Sequence, residues 1–165
     1  MPIIIPTVII SFFLDCIISS IVSMTGIFLP LCTIVSLVII YPYFKKDDIS
    51  YYKWAMCIGF FYDIAYTDTL LLNACIFFII AFLIKTLNFF LTNNTLNTIV
   101  MTTSSIIVYR VLTYLVLWII DYISPNFIIL LKSIYSSLII NIVYSIIIFI
   151  ITNYLSKKYR IRKAE

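Results

Sequence analysis

Long apolar stretches separated by short polar breaks run along the whole chain. A helix that crosses a membrane needs about 20 mostly apolar residues. The pattern predicts six such helices, at roughly 3–22, 26–44, 54–67, 69–90, 98–121 and 127–155. The third is short and contains Asp63, and the sixth is long enough to tilt, bend or begin at the membrane surface. The first lacks a basic start and a small-residue cleavage site, so we expect a retained helix rather than a signal peptide.

The composition places most of this chain in lipid. Of its 165 residues, 64% are hydrophobic and 11% are charged, whereas soluble domains are about half apolar and about a quarter charged. A soluble fold of this size would expose large apolar patches. We therefore predict an all-α integral membrane protein with about six transmembrane helices in one bundle. Residues 1–156 would form this multi-pass domain, and residues 157–165 a short basic cytoplasmic tail.

The basic residues predict the orientation of the bundle. With six crossings, one side of the membrane receives Lys45, Lys46, Lys53, Lys85 and the five basic residues of the tail, which are nine of the eleven in the chain. The opposite loops contain no Lys or Arg. Since basic loops stay in the cytoplasm, we expect a plasma-membrane protein with both termini cytoplasmic. The tail is an ordinary positive-inside anchor, or it contacts anionic lipid or a cytoplasmic protein.

Polar residues inside the apolar stretches are the candidate functional positions. Arg110 falls near the middle of the fifth stretch, where an unpaired charge costs about 2.5–3.5 kcal/mol, so we expect it to face the bundle and to pair with Asp63 or Asp15. Small polar residues recur every four positions around Asp15 and around Asn141, and such stripes would meet inside a bundle. The candidate partner-binding or bundle-core polar residues are Asp15, Gly59, Asp63, Asn73, Arg110 and Asn141. They form structural ion pairs, lie at the outer water interface, or line a polar cavity for a ligand or a partner helix.

No catalytic pattern is present in the sequence. The chain has no His, which removes the most frequent general base and metal ligand. Its four cysteines lie far apart in apolar runs without metal-binding spacing. There is no HExxH, no Gly-rich phosphate loop and no basic aromatic patch for nucleic acid. We expect a protein that is not an enzyme, that has no cofactor or metal, and that binds no nucleic acid.

One run, GFFYDIAYTDTLLLNACIFFIIAFLI, resembles the central signature of the MreD family of rod shape-determining membrane proteins. Gly59, Asp63 and Ile64 match that signature, and Asn73-Ala74 stands where the family's next helix begins. The preceding stretch, GIFLPLCTIVSLVIIYPYF, resembles the family's preceding helix with its early proline. The length of the chain, the predicted number of spans and the short basic tail also agree with this family. The family often has Gly in the turn after the acidic residue, where this chain has AYTDTLLL.

The resemblance implies a non-enzymatic subunit of the bacterial cell-elongation machinery, which links cytoskeletal filaments with lateral peptidoglycan synthesis. Its implied partners are a bitopic MreC-like protein, MreB-like filaments, and the glycosyltransferase and transpeptidase of the elongation complex. The implied fold resembles the membrane substrate-binding subunit of energy-coupling-factor transporters. A vitamin-binding subunit of such a transporter is therefore the alternative, although the first span lacks the Ala-rich coupling surface that this function favours. A bundle with a purely structural role is a third possibility.

Overall fold

The computed structural model describes residues 3–22, 30–44, 47–67, 71–90, 94–122 and 126–159. Within these ranges the chain forms six α-helices and one short 3-10 turn, and no strand. The helices are α1 (Ile4–Val22), α2 (Cys32–Ile40, continued by the 3-10 turn Tyr41–Tyr43), α3 (Asp48–Tyr66), α4 (Leu72–Phe90), α5 (Thr95–Ile119) and α6 (Phe127–Lys158). Each apolar stretch of the sequence overlaps one helix, so the all-α fold class is confirmed.

Helix α2 forms the centre of the bundle. Consecutive helices pair as α1 with α2, α3 with α4 and α5 with α6, and α2 also contacts α4, α5 and α6. All nine residues of α2 are buried. A helix that is apolar on every side has no face to turn outward, so it is stable in the middle of a helical assembly. Helices α1, α4, α5 and α6 pack around it, and the outer faces of the bundle expose large apolar side chains.

Helix α3 is longer than its apolar stretch. It begins at Asp48, and the carboxylate of Asp47 accepts a hydrogen bond from the backbone amide of Ser50 at 3.1 Å. The Ser50 hydroxyl donates to the same carboxylate. Capping by Asp satisfies amides that have no partner within the helix. The helix therefore starts six residues before the predicted position, because a polar cap extends it beyond its apolar part.

Helix α6 separates polar and apolar residues between its two faces. Its buried positions follow a four- or three-residue spacing: Ser137, Asn141, Ser145, Ile148, Thr152 and Ser156. Its opposite face exposes large apolar side chains such as Val143, Ile147 and Ile150. Small residues let helices approach closely in lipid, where no hydrophobic force drives them together. On α1, Thr7, Ser11 and Asp15 are likewise buried, whereas Ser19 is exposed.

Three helices in the described part of the chain are long and apolar enough to cross a membrane: α4 over Leu72–Phe89, α5 over Thr95–Ile119 and α6 over Phe127–Lys158. Ile4–Ser20 and Cys32–Tyr43 are shorter apolar helices. The apolar helices indicate a membrane protein, and the count of six crossings stays a prediction. Several residues on which the orientation depends, namely Lys45, Lys46, Asp68 and 160–165 of the tail, lie outside the described residues.

Candidate functional site

The carboxylate of Asp15 holds the first turn of α2. Asp15 lies on the inner face of α1 and is 1% exposed. Its Oδ1 accepts a hydrogen bond from the Cys32 amide at 2.6 Å, and its Oδ2 accepts one from the Thr33 amide at 2.8 Å. The Thr33 hydroxyl donates to the same Oδ2 at 2.6 Å. Both carboxylate oxygens are therefore engaged by the amino end of the next helix.

Asn141 of α6 completes this cap. Its Oδ1 accepts a hydrogen bond from the Leu31 amide at 2.9 Å, and its Nδ2 donates to the Ser137 carbonyl at 2.7 Å. Three successive backbone amides, those of Leu31, Cys32 and Thr33, thus donate to side chains of α1 and α6. A helix that starts inside an apolar bundle has no water to satisfy these amides. A carboxylate there also interacts favourably with the positive end of the helix dipole.

Asp63 of α3 holds the start of α4 in the same way. Its Oδ1 accepts hydrogen bonds from the Asn73 amide at 3.1 Å and from Asn73 Nδ2 at 2.9 Å. Its Oδ2 accepts one from the Ala74 amide at 3.2 Å. Asp63 is 1% exposed, and the Thr67 hydroxyl also donates to it. The two buried acids among the described residues thus have the same local role in two neighbouring helix pairs.

Gly59 lets α3 approach the start of α4 closely enough for this contact. A Cβ at Gly59 would lie 2.6 Å from the Asn73 carbonyl oxygen and 2.7 Å from the Ala74 Cα. Both atoms belong to the backbone, so neither can rotate away. The spacing of Gly59 and Asp63 places them on one face, one turn apart. The Gly-x-x-x-Asp pattern therefore places the close contact between α3 and α4 one turn before the residue that caps the start of α4.

Hydrogen bonds connect this cap to α5 and, beyond it, α6. The Tyr109 hydroxyl donates to Asn73 Oδ1 at 3.0 Å. The next residue, Arg110, donates from Nε to the Ser137 hydroxyl at 2.8 Å. Its guanidinium carbon lies 5.8 Å from the centroid of the Tyr109 ring. Polar side chains of α3, α4, α5 and α6 are thereby held together inside the bundle.

The ion pair expected between Arg110 and an inward carboxylate is absent from the described part of the chain. There, Arg110 makes its hydrogen bond with Ser137, and the salt bridge present joins Lys85 to Asp48 at 2.7 Å. The physical reason lies in the helix termini. Backbone amides of α2 and α4 already engage the two carboxylates, which satisfies the acids without Arg110.

A polar cavity of about 170 Å³ lies beside these caps. Asp15, Tyr62, Tyr109 and Arg110 contribute to its wall. Gly59, Asn73 and Asn141 do not line it; they belong to the contacts between helices. Within the described residues no group of three acidic, Cys or His side chains could hold a metal ion, and the four cysteines are free. The arrangement suits fixing helix ends and offering donors to a small group in the cavity.

Sequence reasoning missed Thr33, Tyr109 and Tyr144. Thr33 adds a hydroxyl to the Asp15 cap, and the Tyr144 hydroxyl shares a 2.7 Å hydrogen bond with Ser11. The signal for Thr33 was its place three residues after Pro30, which is typical of a helix start. Tyr109 and Tyr144 carry no such local signal, because a tyrosine in an apolar helix also fits a lipid-facing position.

Comparison with known proteins identifies one family. The family model described as rod shape-determining protein MreD matches residues 1–159. This match covers all six helices and both caps. No curated protein and no solved structure matches the chain.

Proposed function

The chain belongs to the MreD family of rod shape-determining membrane proteins, and on that premise we propose that it is a non-enzymatic membrane subunit of the bacterial cell-elongation machinery. In this role it links cytoskeletal filaments to lateral peptidoglycan synthesis. The observation that carries the proposal is the family match over residues 1–159, which leaves only the last six residues outside. Because the match spans the bundle as a whole, the family's role in cell shape applies to the entire domain.

The proposed partners lie on both sides of the membrane. A bitopic MreC-like protein, the glycosyltransferase and the transpeptidase would contact the bundle within the membrane and outside the cell. MreB-like filaments would lie on the cytoplasmic side, together with both termini and the basic tail 157–165. Lys157 and Lys158 end α6, and Lys85 lies near the end of α4. Positive charge at this end of the bundle supports the orientation.

The use of the buried acids supports a scaffold rather than an enzyme. An acid or base in catalysis must reach a substrate proton. Asp15 and Asp63 instead accept hydrogen bonds from backbone amides of α2 and α4. Removal of either carboxylate would weaken the contacts between its helix and the helix start that it holds. A bundle with such fixed internal contacts can present constant surfaces to larger partners.

The cavity favours this role over vitamin binding. Sites for small organic molecules usually have volumes of about 300–1,000 Å³. The polar cavity beside Asp15 and Arg110 measures about 170 Å³, and the larger groove of about 530 Å³ between α1 and α6 is lined mostly by apolar side chains and by no charged residue. A vitamin-sized ligand would require the caps of α2 and α4 to separate. We therefore propose the cell-elongation role alone.

The test is deletion and complementation in the bacterium that encodes the chain, provided that it grows as rods. Deletion should make the cells wider and rounder, and the wild-type chain should restore cell width, measured by microscopy. The matched variant Gly59→Leu should reach the membrane in a reduced amount or fail to restore width, whereas Ala65→Leu, on the exposed side of α3, should restore it. Unchanged width after deletion would refute the proposal. Reporter fusions that place the two termini on opposite sides would refute the orientation.

A further inference from the structure

The polar cavity is built from four helices at one end of the bundle. Its wall includes Asp15 of α1, Leu31 at the start of α2, Tyr62 and Tyr66 of α3, and Tyr109 and Arg110 of α5. Three aromatic rings and one guanidinium thus surround a space of about 170 Å³. This space holds a small polar group but not a drug-sized molecule.

Two donor groups of the wall, the terminal nitrogens of Arg110 and the hydroxyl of Tyr62, have no acceptor within the described part of the chain. The guanidinium of Arg110 carries five N–H donors, and among the described residues only its Nε is engaged, by Ser137. Tyr62 is 8% exposed, and its hydroxyl has no hydrogen-bond partner among those residues. Both groups line the cavity, where a polar group that enters from outside can accept hydrogen bonds from them.

Most of the other polar groups of the same wall already have hydrogen bonds. Both oxygens of Asp15 accept from α2. The Tyr109 hydroxyl donates to Asn73, and the Tyr66 hydroxyl donates to the Phe12 carbonyl. The wall therefore holds one cation, Arg110, whose terminal nitrogens are free to donate, and one carboxylate, Asp15, whose oxygens are engaged by α2.

We propose that this cavity binds a carboxylate group supplied from outside the bundle, with Arg110 as its cationic partner and Tyr62 as a second donor. A carboxylate is planar and accepts paired hydrogen bonds from a guanidinium. Its single negative charge would lie against Arg110, while the amides of α2 already hold the carboxylate of Asp15. A phosphate dianion would add a second negative charge beside Asp15, which disfavours it.

The size of the site argues against a whole lipid headgroup, because about 170 Å³ holds only a small polar group. The carboxylate comes from a free small molecule or from an acidic side chain of another protein. The chemistry at Arg110 and Tyr62 is the same in both cases.

The experiment measures thermal unfolding of the full chain, purified in detergent at neutral pH, in sodium acetate and in sodium chloride of equal ionic strength. Acetate at ten times its dissociation constant should raise the midpoint by about 3 °C relative to chloride. Arg110→Gln and Tyr62→Phe should each abolish most of this rise. The matched controls Lys132→Gln and Tyr135→Phe change exposed residues of the same types and should keep it. Tyr62→Phe removes one hydroxyl, so it tests the proposal even when Arg110→Gln fails to fold.

A photo-reactive residue at Ser19, on the exposed rim of the cavity, identifies the source of the carboxylate. A cross-linked peptide from cell membranes that carries Asp or Glu assigns it to a partner protein. An acetate effect without such a peptide assigns it to a free carboxylate. The proposal is overturned when acetate does not stabilise the wild type, or when it stabilises the Arg110 and Tyr62 variants equally. It is also overturned when acetate acts only on Asp68→Asn, because the chain's own Asp68, which lies outside the described residues, would then fill the cavity.

Discussion

Gly59 and Asp63 lie one turn apart on α3 and face the same two residues at the start of α4. Gly59 permits contact with the backbone of Asn73 and Ala74, and Asp63 accepts hydrogen bonds from their amides. Neither residue can act alone: without the close approach the carboxylate does not reach the amides, and without the carboxylate the amides have no partner in lipid. The pair explains why a membrane protein retains an acid in an apolar stretch.

Gly59→Ala should destabilise the bundle. The added methyl group would lie 2.6 Å from the Asn73 carbonyl oxygen, so the start of α4 must move away and the bonds to Asp63 must lengthen. Overpacking of this kind costs about 1–3 kcal/mol, and each kcal/mol lowers the unfolding midpoint by about 2–4 °C in a chain of this size. Thermal unfolding in detergent measures this decrease in the unfolding midpoint. Ala65→Leu, on the exposed side of the same helix, is the control and should leave the midpoint unchanged.

Asp63→Asn should lower the free energy of unfolding by about 1–3 kcal/mol. The substitution keeps the size of the side chain but turns one acceptor into a donor, which then faces a backbone amide of α4. Unfolding of the purified chain in denaturant tests this. Asp121→Asn changes an exposed acid just after α5 and should have no effect. Equal effects of the two substitutions would contradict the assigned role of Asp63.

Arg110 should be energetically coupled to Ser137 and not to Asp63. Arg110→Leu and Ser137→Ala remove the two sides of one hydrogen bond, so their combined effect should differ from the sum by at least about 0.5 kcal/mol. Arg110→Leu and Asp63→Asn should add to within about 0.5 kcal/mol. Double-mutant cycles on unfolding free energy measure both. If the added substitution Asp63→Asn restored the stability of the Arg110→Leu variant, this would show a direct ion pair between Arg110 and Asp63.

Ser105→Ala should leave stability unchanged or increase it. The Ser105 hydroxyl on α5 is fully buried and has no hydrogen-bond partner within the described residues. Removing a buried polar group without a partner relieves a desolvation penalty of about 1–3 kcal/mol. Ser137→Ala is the matched comparison, because its hydroxyl accepts from Arg110, and it should lower the midpoint. A large loss on Ser105→Ala would mean that its hydroxyl has a partner outside the described residues.

The cap of α3 should weaken in acid. The Ser50 hydroxyl and amide, which donate to the carboxylate, hold the pKa of Asp47 below its usual value. This contribution is fully present above the ordinary pKa of Asp, about 3.9, and is lost as the pH falls through the lowered pKa. Carboxyl chemical shifts of Asp47, followed by NMR from neutral pH downward, measure the shift. Asp47→Asn keeps a cap that does not titrate, so its stability should not follow this transition.

The positions of the helices could be predicted from the sequence, because apolar length and periodicity depend only on local residues. That Asp15 and Asp63 face inward also follows from the cost of a charge in lipid. Their partners could not be predicted in this way. Which helix start faces a carboxylate depends on how the helices pack, and the sequence offered Arg110 as a simpler partner than a row of amides.

The central place of α2 and the role of Asn141 were also beyond local reasoning. An apolar stretch fits lipid and a protein interior equally well, so its burial is decided by the other five helices. Asn141 is separated from Leu31 by 110 positions, and its four-residue spacing with serines indicated a face but not a target. The sequence therefore predicts which residues of the candidate site face inward, but it does not predict the contacts among them.

The cap of α2 has a consequence for biosynthesis. Leu31 leaves the ribosome early, whereas Asn141, whose side chain accepts the hydrogen bond of its amide, belongs to α6 and is made 110 residues later. Helix α2 therefore lacks one hydrogen bond at its start until the segments between Leu31 and Asn141 have been translated. A nascent chain that stops before Asn141 would keep an unsatisfied amide in the bilayer, so truncated products should be recognised as unfinished and degraded by membrane proteases.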